Sequence, residues 1–528
     1  MAEAAVGLSL ALAGLAPPAS ALAETLQDAV REAYDSNPTL GEQRMRQRIY
    51  DEDYVQSEAG LQPTLSLSAQ ASQVSERPGF AGETRANTTS TLSLDQPLFT
   101  GGQTAAAMNA ARAQDLAGRE NLQAVEGQLV LNVVSVYVAV LRDQAKLKVA
   151  QDNLAALQSE YDESLARREV RQGTITDVAQ AEGRLRGAQA EVENAKAQLA
   201  ITRSQYLQVV GSLPDNLEPP PDLGGLPDNI DEAFDTAERI NPSLNQAKFT
   251  EQSSRAKIQQ AKAVYRPSVA ADVSVSSTAA SYYQGQFGPS GLPANQTNIT
   301  GSVTFKMPIF QASLDSQIRQ TIAQNGSDQL SVEDARRTAL QSVVQAWSQL
   351  YAARTTLAVF DQEVAAFVLA YEGMRKEEAF GLRDRTEVLN AEQELASAQL
   401  SLLDARYNEY VSRAALLNAM GDLSALSVDP TIPAYRPEAY FREIKSRGIL
   451  PWGAPLVGFE STFGGPSPTR PVAADLTGAG ALRADLTPPL PPTPSAADLN
   501  SPLPSIDAEA RMRQPGPQTP KIRAPLGQ

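Results

Sequence analysis

The sequence predicts an α+β membrane protein, a duplicated module of long coiled-coil helices and β-hairpins. Three observations predict it. First, the chain repeats itself at a spacing of about 210 residues, far beyond the roughly 20–50 of a solenoid unit. Asn37-Pro38-Thr39-Leu40 returns as Asn241-Pro242-Ser243-Leu244, Pro63 as Pro267, Thr176-Asp177-Val178 as Thr386-Glu387-Val388, and Gly211 as Gly421. Gln96-Pro97-Leu98-Phe99 returns one residue out of step as Lys306-Met307-Pro308-Ile309-Phe310. Second, no proline falls between Pro97 and Pro214 or between Pro308 and Pro430, which leaves room for very long helices. Third, each repeat holds one stretch in which apolar and polar residues alternate with period 2.

The elements follow in order. Residues 1–23 read as a secretory signal: Val6 to Ala16 is apolar, Pro17-Pro18 breaks it, and Ala21-Leu22-Ala23 is a small-x-small cleavage site. The early segment carries Glu3 and no Lys or Arg, which a misassigned start would explain. The first repeat spans 24–225. Leu26 to Ala59 is helical, and Asn37 followed by Pro38 caps it anew, so a kink falls there. A hairpin occupies 61–99: Leu65, Leu67, Ala69 and Ala71 alternate with serines and glutamine, and Leu92, Leu94 and Gln96 to Phe99 return. Pro63, Pro97 and Gly101-Gly102 punctuate its ends.

From Gln103 to Val170 a helix of about 100 Å is expected at 1.5 Å per residue. An inner turn at 171–177 leads to a return helix, Ile175 to Val210, of roughly half that length. The second repeat, 226–427, does the same, with a hairpin at 267–310 bounded by Pro267 and Pro308, a long helix, an inner turn at 381–387 and a return helix, Arg385 to Met420. Two short helices end to end match one long helix, as a wall of parallel rods requires. Val178, Ala181, Leu185, Ala188, Val192, Ala195, Leu199, Thr202, Tyr206 and Val209 keep 3-4 spacing, and Val388 to Ala405 repeats it, which predicts coiled-coil packing.

After Ser427 the pattern stops. The segment 428–528 holds more than half of the 35 prolines and reads as a disordered, partly extended tail with one aromatic patch, Trp452 to Phe463.

Composition narrows the function. There is no cysteine and no histidine, which removes thiol nucleophiles, imidazole bases and the commonest zinc ligands. A net charge of -16 disfavours nucleic acid as a partner. The carboxylates lie scattered along helix faces, no phosphate-binding or dinucleotide motif occurs, and neither an enzyme nor a cofactor is expected. The helices alone also fit a soluble periplasmic coiled-coil adaptor or a scaffold, but such proteins have no use for two amphipathic hairpins. Four strands are too few to close a membrane barrel, which takes about eight at least, so other copies must complete it.

The residues resemble the TolC family of outer-membrane channels over about Glu24 to Leu423. Ala33 to Leu40 is similar to the family's A-x-x-x-N-P-x-L, Gln96 to Gly102 to its Q-P-L-F/Y-x-G-G exit from the barrel, and Thr176 to Glu182 to its T-D-V-x-x-A-E at the inner turn. The resemblance implies a homotrimer with a twelve-stranded barrel in the outer membrane and a periplasmic α-helical tunnel. It implies an exit duct fed by a periplasmic adaptor and an inner-membrane ABC transporter or proton-driven pump. It leans toward type I secretion of a protein, such as an S-layer or repeat-rich one, with small-molecule efflux as the alternative. Many drug-efflux members carry a lipidated cysteine that this chain lacks. It further implies a gate in which Arg383 pairs with Asp177 of a neighbouring chain, and an acidic ring at Glu387, with Asn390 replacing a second ring. Two departures stand out: Arg171 sits where the first turn normally has glycine, and Glu378 where a tyrosine is common, so that Glu378 is free to pair with Arg171 or Arg168.

Overall fold

The computed structural model describes residues 24–75, 84–283, 294–445, 453–469 and 490–491. The expected signal segment, both hairpin tips and most of the tail lie outside them.

Each repeat opens with a spliced pair of helices, α1 (Leu26–Ser36) and α2 (Pro38–Glu58), mirrored by α5 (Ile230–Ile240) and α6 (Pro242–Ala263). One asparagine makes each splice. The Asn37 Oδ1 accepts from the Thr39 and Leu40 amides, and Pro38 occupies the first helical position. Its Nδ2 donates to the Val209 carbonyl at 3.1 Å, near the end of the return helix α4 (Ile175–Val210). Asn241 repeats this: Oδ1 accepts from Leu244 N, and Nδ2 donates to the Ala419 carbonyl at 2.9 Å, near the end of α8 (Arg385–Met420). The repeated Asn-Pro motif is therefore the device that sets a short helix on top of a return helix.

The long rods are α3 (Gln103–Glu169) and α7 (Ala312–Ala379), each about 100 Å long. Near the sheet α3 lies against α2 and α6; toward the inner turn it lies against α4, where the buried Thr202 hydroxyl donates to Asp143 at 2.6 Å. Most of the expected coiled-coil positions are buried: Val178, Ala181, Leu185, Ala188, Val192, Leu199, Thr202 and Tyr206 on α4, where Ala195 and Val209 are half-buried, and Val388, Ala391, Leu395, Ala398, Leu402 and Ala405 on α8. The most apolar stretch of α3 is core: Val130, Val133, Val134, Tyr137 and Val140 are buried with Phe234 of α5, Trp347 of α7 and Tyr410 of α8.

Four strands, β1 (Thr64–Ser75), β2 (Thr84–Phe99), β3 (Ser268–Tyr283) and β4 (Ala294–Lys306), form one antiparallel sheet in the order β1-β2-β3-β4. The two hairpins thus join through β2 and β3. The register puts Leu65 opposite Leu94, Leu94 opposite Val273, Val275 opposite Ile299 and Ala271 opposite Val303, so the apolar residues share one face. Leu67, Ile299 and Val303 stand 71–76% exposed there. The other face is polar: Ser66 meets Ser93 at 2.7 Å, and Ser274 lies opposite both Ser93 and Thr300. The strands run longer than the minimum a span needs. Both edges, β1 and β4, lack a strand neighbour among the described residues.

The expectation of a structureless tail is corrected where the tail is described. After α9 (Ala425–Val428), which ends the second repeat, residues 437–444 form α10 and 453–461 form α11. Phe441 and Ile444 of α10 are buried; Phe441 packs edge-on to Tyr54 at 5.1 Å and under the Arg112 guanidinium at 4.5 Å. Leu490 packs on the main core, and the Pro491 carbonyl accepts from Arg354 at 2.8 Å. Proline density hid these elements because α10 begins with its proline, Pro437, at the position where a helix tolerates one.

Candidate functional site

Two regions carry the residues picked out by the sequence: the inner turns and the junction between sheet and helices.

The inner turns share one backbone path. In the first, Arg171 N donates to the Arg168 carbonyl at 3.0 Å and Gln172 N to Arg167 at 2.8 Å. In the second, Gly381 N donates to Glu378 at 2.8 Å and Leu382 N to Glu377 at 2.9 Å. Both close by a left-handed residue, Gly381 at φ 72° and Arg171 at φ 60°. Arg171 thus adopts a conformation that costs a side-chain-bearing residue and costs glycine nothing.

The starts of the return helices differ. Thr174 and Asp177 form a capping box: Thr174 N donates to Asp177 Oδ2 at 2.8 Å, and Asp177 N to Thr174 Oγ1 at 3.2 Å. The Thr174 backbone and hydroxyl hold the Asp177 carboxyl below the usual aspartate range. At the second turn Asp384 makes no side-chain cap, and Glu387 instead accepts from Arg383 Nη1 at 3.3 Å. Arg383 Nε also donates to Glu377 Oε2 at 2.8 Å. Within the protomer Arg383 is therefore held between Glu377 and Glu387, while Asp177 closes its own helix start.

Glu378 pairs with neither Arg171 nor Arg168. Its partner is Arg385, at 3.3 Å. The reason is position: Arg385 opens α8 facing α3, and it also donates to Glu163 Oε2 at 3.0 Å and lies 3.8 Å from Glu160. One guanidinium thus ties α3 of the first repeat to α7 and α8 of the second. Burial pushes the Glu160 carboxyl up, with Arg385 opposing. Sequence reasoning missed Arg385, two of whose partners, Glu160 and Glu163, lie more than 200 residues away. Asn390 accepts from Arg184 at 3.4 Å, linking the two return helices.

At the junction Pro63 leads into β1, and Gln96 Nε2 donates to the Leu61 carbonyl at 3.0 Å. The register of β2 slips between Pro97 and Phe99. Gly101 and Gly102 take φ of 73° and 88° and lead into α3. Gly101 seats against the second repeat: a Cβ there would lie 2.9 Å from Arg266 and 3.1 Å from the Pro267 carbonyl. Pro308 lies in the short link between β4 and α7, which has no glycine pair. The missed residue here is Glu460 of the tail, 1% exposed, which accepts from Thr100 N at 3.2 Å and Gly102 N at 2.6 Å and so braces the turn that leads into α3.

The arrangement can hold two long rods and two return helices together at one end and seat them under an apolar-faced sheet at the other. Comparison with known proteins agrees. The family profile described as "Outer membrane efflux protein" matches residues 29–212 and 234–422, one match per repeat. The chain is 32% identical to the outer membrane efflux protein BepC of Brucella suis over 433 residues, 81% of this chain and 92% of that one. It is 24% identical to the outer membrane protein TolC of Escherichia coli K12, over 76% of this chain and 83% of that one. Among solved structures, the CusC channel superposes with a TM-score of 0.63 at 19% identity, covering 76% of this chain and 92% of that one, and shares the fold.

Proposed function

Because the chain belongs to the outer membrane efflux protein family, we propose that three copies close one twelve-stranded barrel and one helical tunnel, forming the exit duct of a tripartite export system. That it is a channel protein of the outer membrane follows from the family; the copy number, cargo and partners are our reading. The observation that carries it is the sheet. It has one apolar and one polar face, two edges without a strand neighbour among the described residues, and rods of about 100 Å following β2 and β4. Unpaired edges are not tolerated in hydrocarbon, and pooling sheets from several copies removes them.

The duct performs no catalysis in this reading and uses no cofactor. An inner-membrane ABC transporter or proton-driven pump supplies the energy, and a periplasmic adaptor joins it to the inner turns. For cargo we favour a polypeptide delivered by type I secretion, supported by the lean of the family resemblance and by the lack of any cysteine in the sequence to accept a lipid. Small-molecule efflux is the second reading, supported by the name of the Brucella relative. Deleting the gene and comparing secreted proteins with sensitivity to dyes and detergents decides between them. Loss of a secreted protein with unchanged sensitivity is expected; raised sensitivity with an intact set of secreted proteins contradicts the polypeptide reading.

The gate in this reading is the pair of inner turns. Arg383 exchanges its partners within the chain for Asp177 of a neighbour, and three Glu387 carboxylates ring the axis and favour cations.

A further inference from the structure

The tail leaves an aromatic patch at the level where the sheet meets the helices. Phe99 lies opposite Val269 in the register, on the face that carries Leu92, Leu94 and Val273. The Phe459 and Phe463 rings pack on Phe99 with centroids 5.7 and 5.3 Å away, and on each other at 5.6 Å. The tail therefore sits on the apolar side of the sheet, where the strands end. Pro455 and Phe459 lie four apart on one exposed side of α11, and Phe463, in the turn just beyond it, packs against Phe459 and is exposed with them. Phe459 stays 57% exposed and Phe463 41%.

The opposite side of the segment is fastened. Glu460 points inward onto Thr100 and Gly102, and Arg266 Nη1 donates to the Phe463 carbonyl at 2.8 Å and to the Gly101 carbonyl at 3.3 Å. Its one carboxylate is satisfied by the Thr100 and Gly102 amides and the Thr100 hydroxyl, so what α11 shows outward carries no charge, and its large exposed residues, Pro455 and Phe459, are apolar. The patch continues the sheet's own apolar face: Phe305 is 66% exposed, and Ile309 and Phe310, just beyond the end of β4, are 92% and 81% exposed. Aromatic rings at the rim of a membrane sheet favour the headgroup boundary.

We propose that α11 and the following Phe463 form an interfacial anchor that rests on the phospholipid of the periplasmic leaflet of the outer membrane. The partner is the lipid surface. An apolar helix in this position buries its exposed face about 5–10 Å into the headgroup and acyl boundary. The anchor fixes the height of the tunnel beneath the membrane. It rests on the sheet lying in the outer membrane and is independent of the cargo.

The chain has no cysteine, so single-site labelling needs no background removal. Pro455→Cys, Phe459→Cys and Phe463→Cys in the full-length protein carry a nitroxide label each, with Val273→Cys as the lipid reference and Glu193→Cys on the exposed face of α4 as the water reference. The protein is placed in vesicles of phosphatidylethanolamine and phosphatidylglycerol, and collisions with oxygen and with a water-soluble nickel chelate are measured. Oxygen-to-nickel ratios at 455, 459 and 463 several-fold above that at 193, and below that at 273, are expected. Pro455→Cys leaves both rings in place, so it reports on the anchor even where replacing a ring loosens it. Ratios at all three sites equal to that at 193, with 273 still oxygen-rich, overturn the anchor and leave the barrel standing. A water-like ratio at 273 overturns both.

Discussion

Asn241 does two tasks with one amide: its oxygen caps α6, and its nitrogen holds the end of α8. Replacing it with alanine removes both bonds. Loss of a cap of this kind costs roughly 0.5–2 kcal/mol. Asn241→Ala should lower the melting temperature of the assembled protein, followed by circular dichroism at 222 nm in detergent, where the helices dominate. An unchanged melting temperature would reduce the asparagine to a sequence signature without a structural task. At the inner turns the residues differ in what they hold. Glu387 takes a bond from Arg383, whereas Asp177 is already satisfied by Thr174. Arg383→Ser should raise single-channel conductance, and Glu387→Ala should reduce cation selectivity in planar bilayers. Identical conductance in correctly assembled Arg383→Ser channels removes Arg383 from the gate. Arg385 was not legible beforehand, because a long-range ion pair leaves no periodicity. The Asn-Pro splice was legible, because a cap and its proline are neighbours in the chain.

The elements were largely readable because each has a local cause. The rods α3 and α7 end where a left-handed residue closes the turn, Arg171 in one and Gly381 in the other, and their faces follow 3-4 spacing. The hairpins follow from period-2 alternation, which also makes a directional prediction. Arginine at Val273 should impair assembly far more than arginine at Ser274, since mid-bilayer arginine on the lipid face costs roughly 2–4 kcal/mol. Equal yields of assembled protein from the two variants would defeat the assignment of faces. The tail was misread because its order comes from contacts with distant elements. Phe441 of α10 stacks on Arg112 and Arg119, which both bind Asp115, and Glu438 meets Arg119 at 3.1 Å. Beside this stack lies Asp51, fully buried, with Gln47 bridging it to Asp115. Burial, and then the neighbouring Asp115, push the Asp51 carboxyl up to about 7, against the pull of Arg119 and Gln47. Its unfolded value is about 3.9, so the folded state holds the proton more tightly. The stability it contributes is complete below pH about 4 and is lost as the pH rises through about 7. Asp51→Asn should therefore flatten the fall in melting temperature between acid and mildly alkaline buffer. An equally steep fall in the variant would assign the dependence to another group.

At the scale of the whole molecule, duplication explains most of the architecture. Each repeat supplies one hairpin, one long rod and one spliced pair, and the β2 and β3 pairing joins the two hairpins into one sheet. The repeats have since diverged at both ends. The first junction has the glycine pair and the tail clamp of Glu460; the second has neither and leaves Phe310 exposed. The first turn is capped by Asp177, while the second holds Arg383 between two glutamates. A duplicated wall whose outer strands, β1 and β4, have no strand neighbour among the described residues is incomplete alone, and in the proposed assembly copies pool their strands to make one channel. The most direct test is native mass spectrometry of the protein extracted from outer membranes in detergent. A particle of three chains is predicted, and a particle of one chain, stable without partners, would contradict the account.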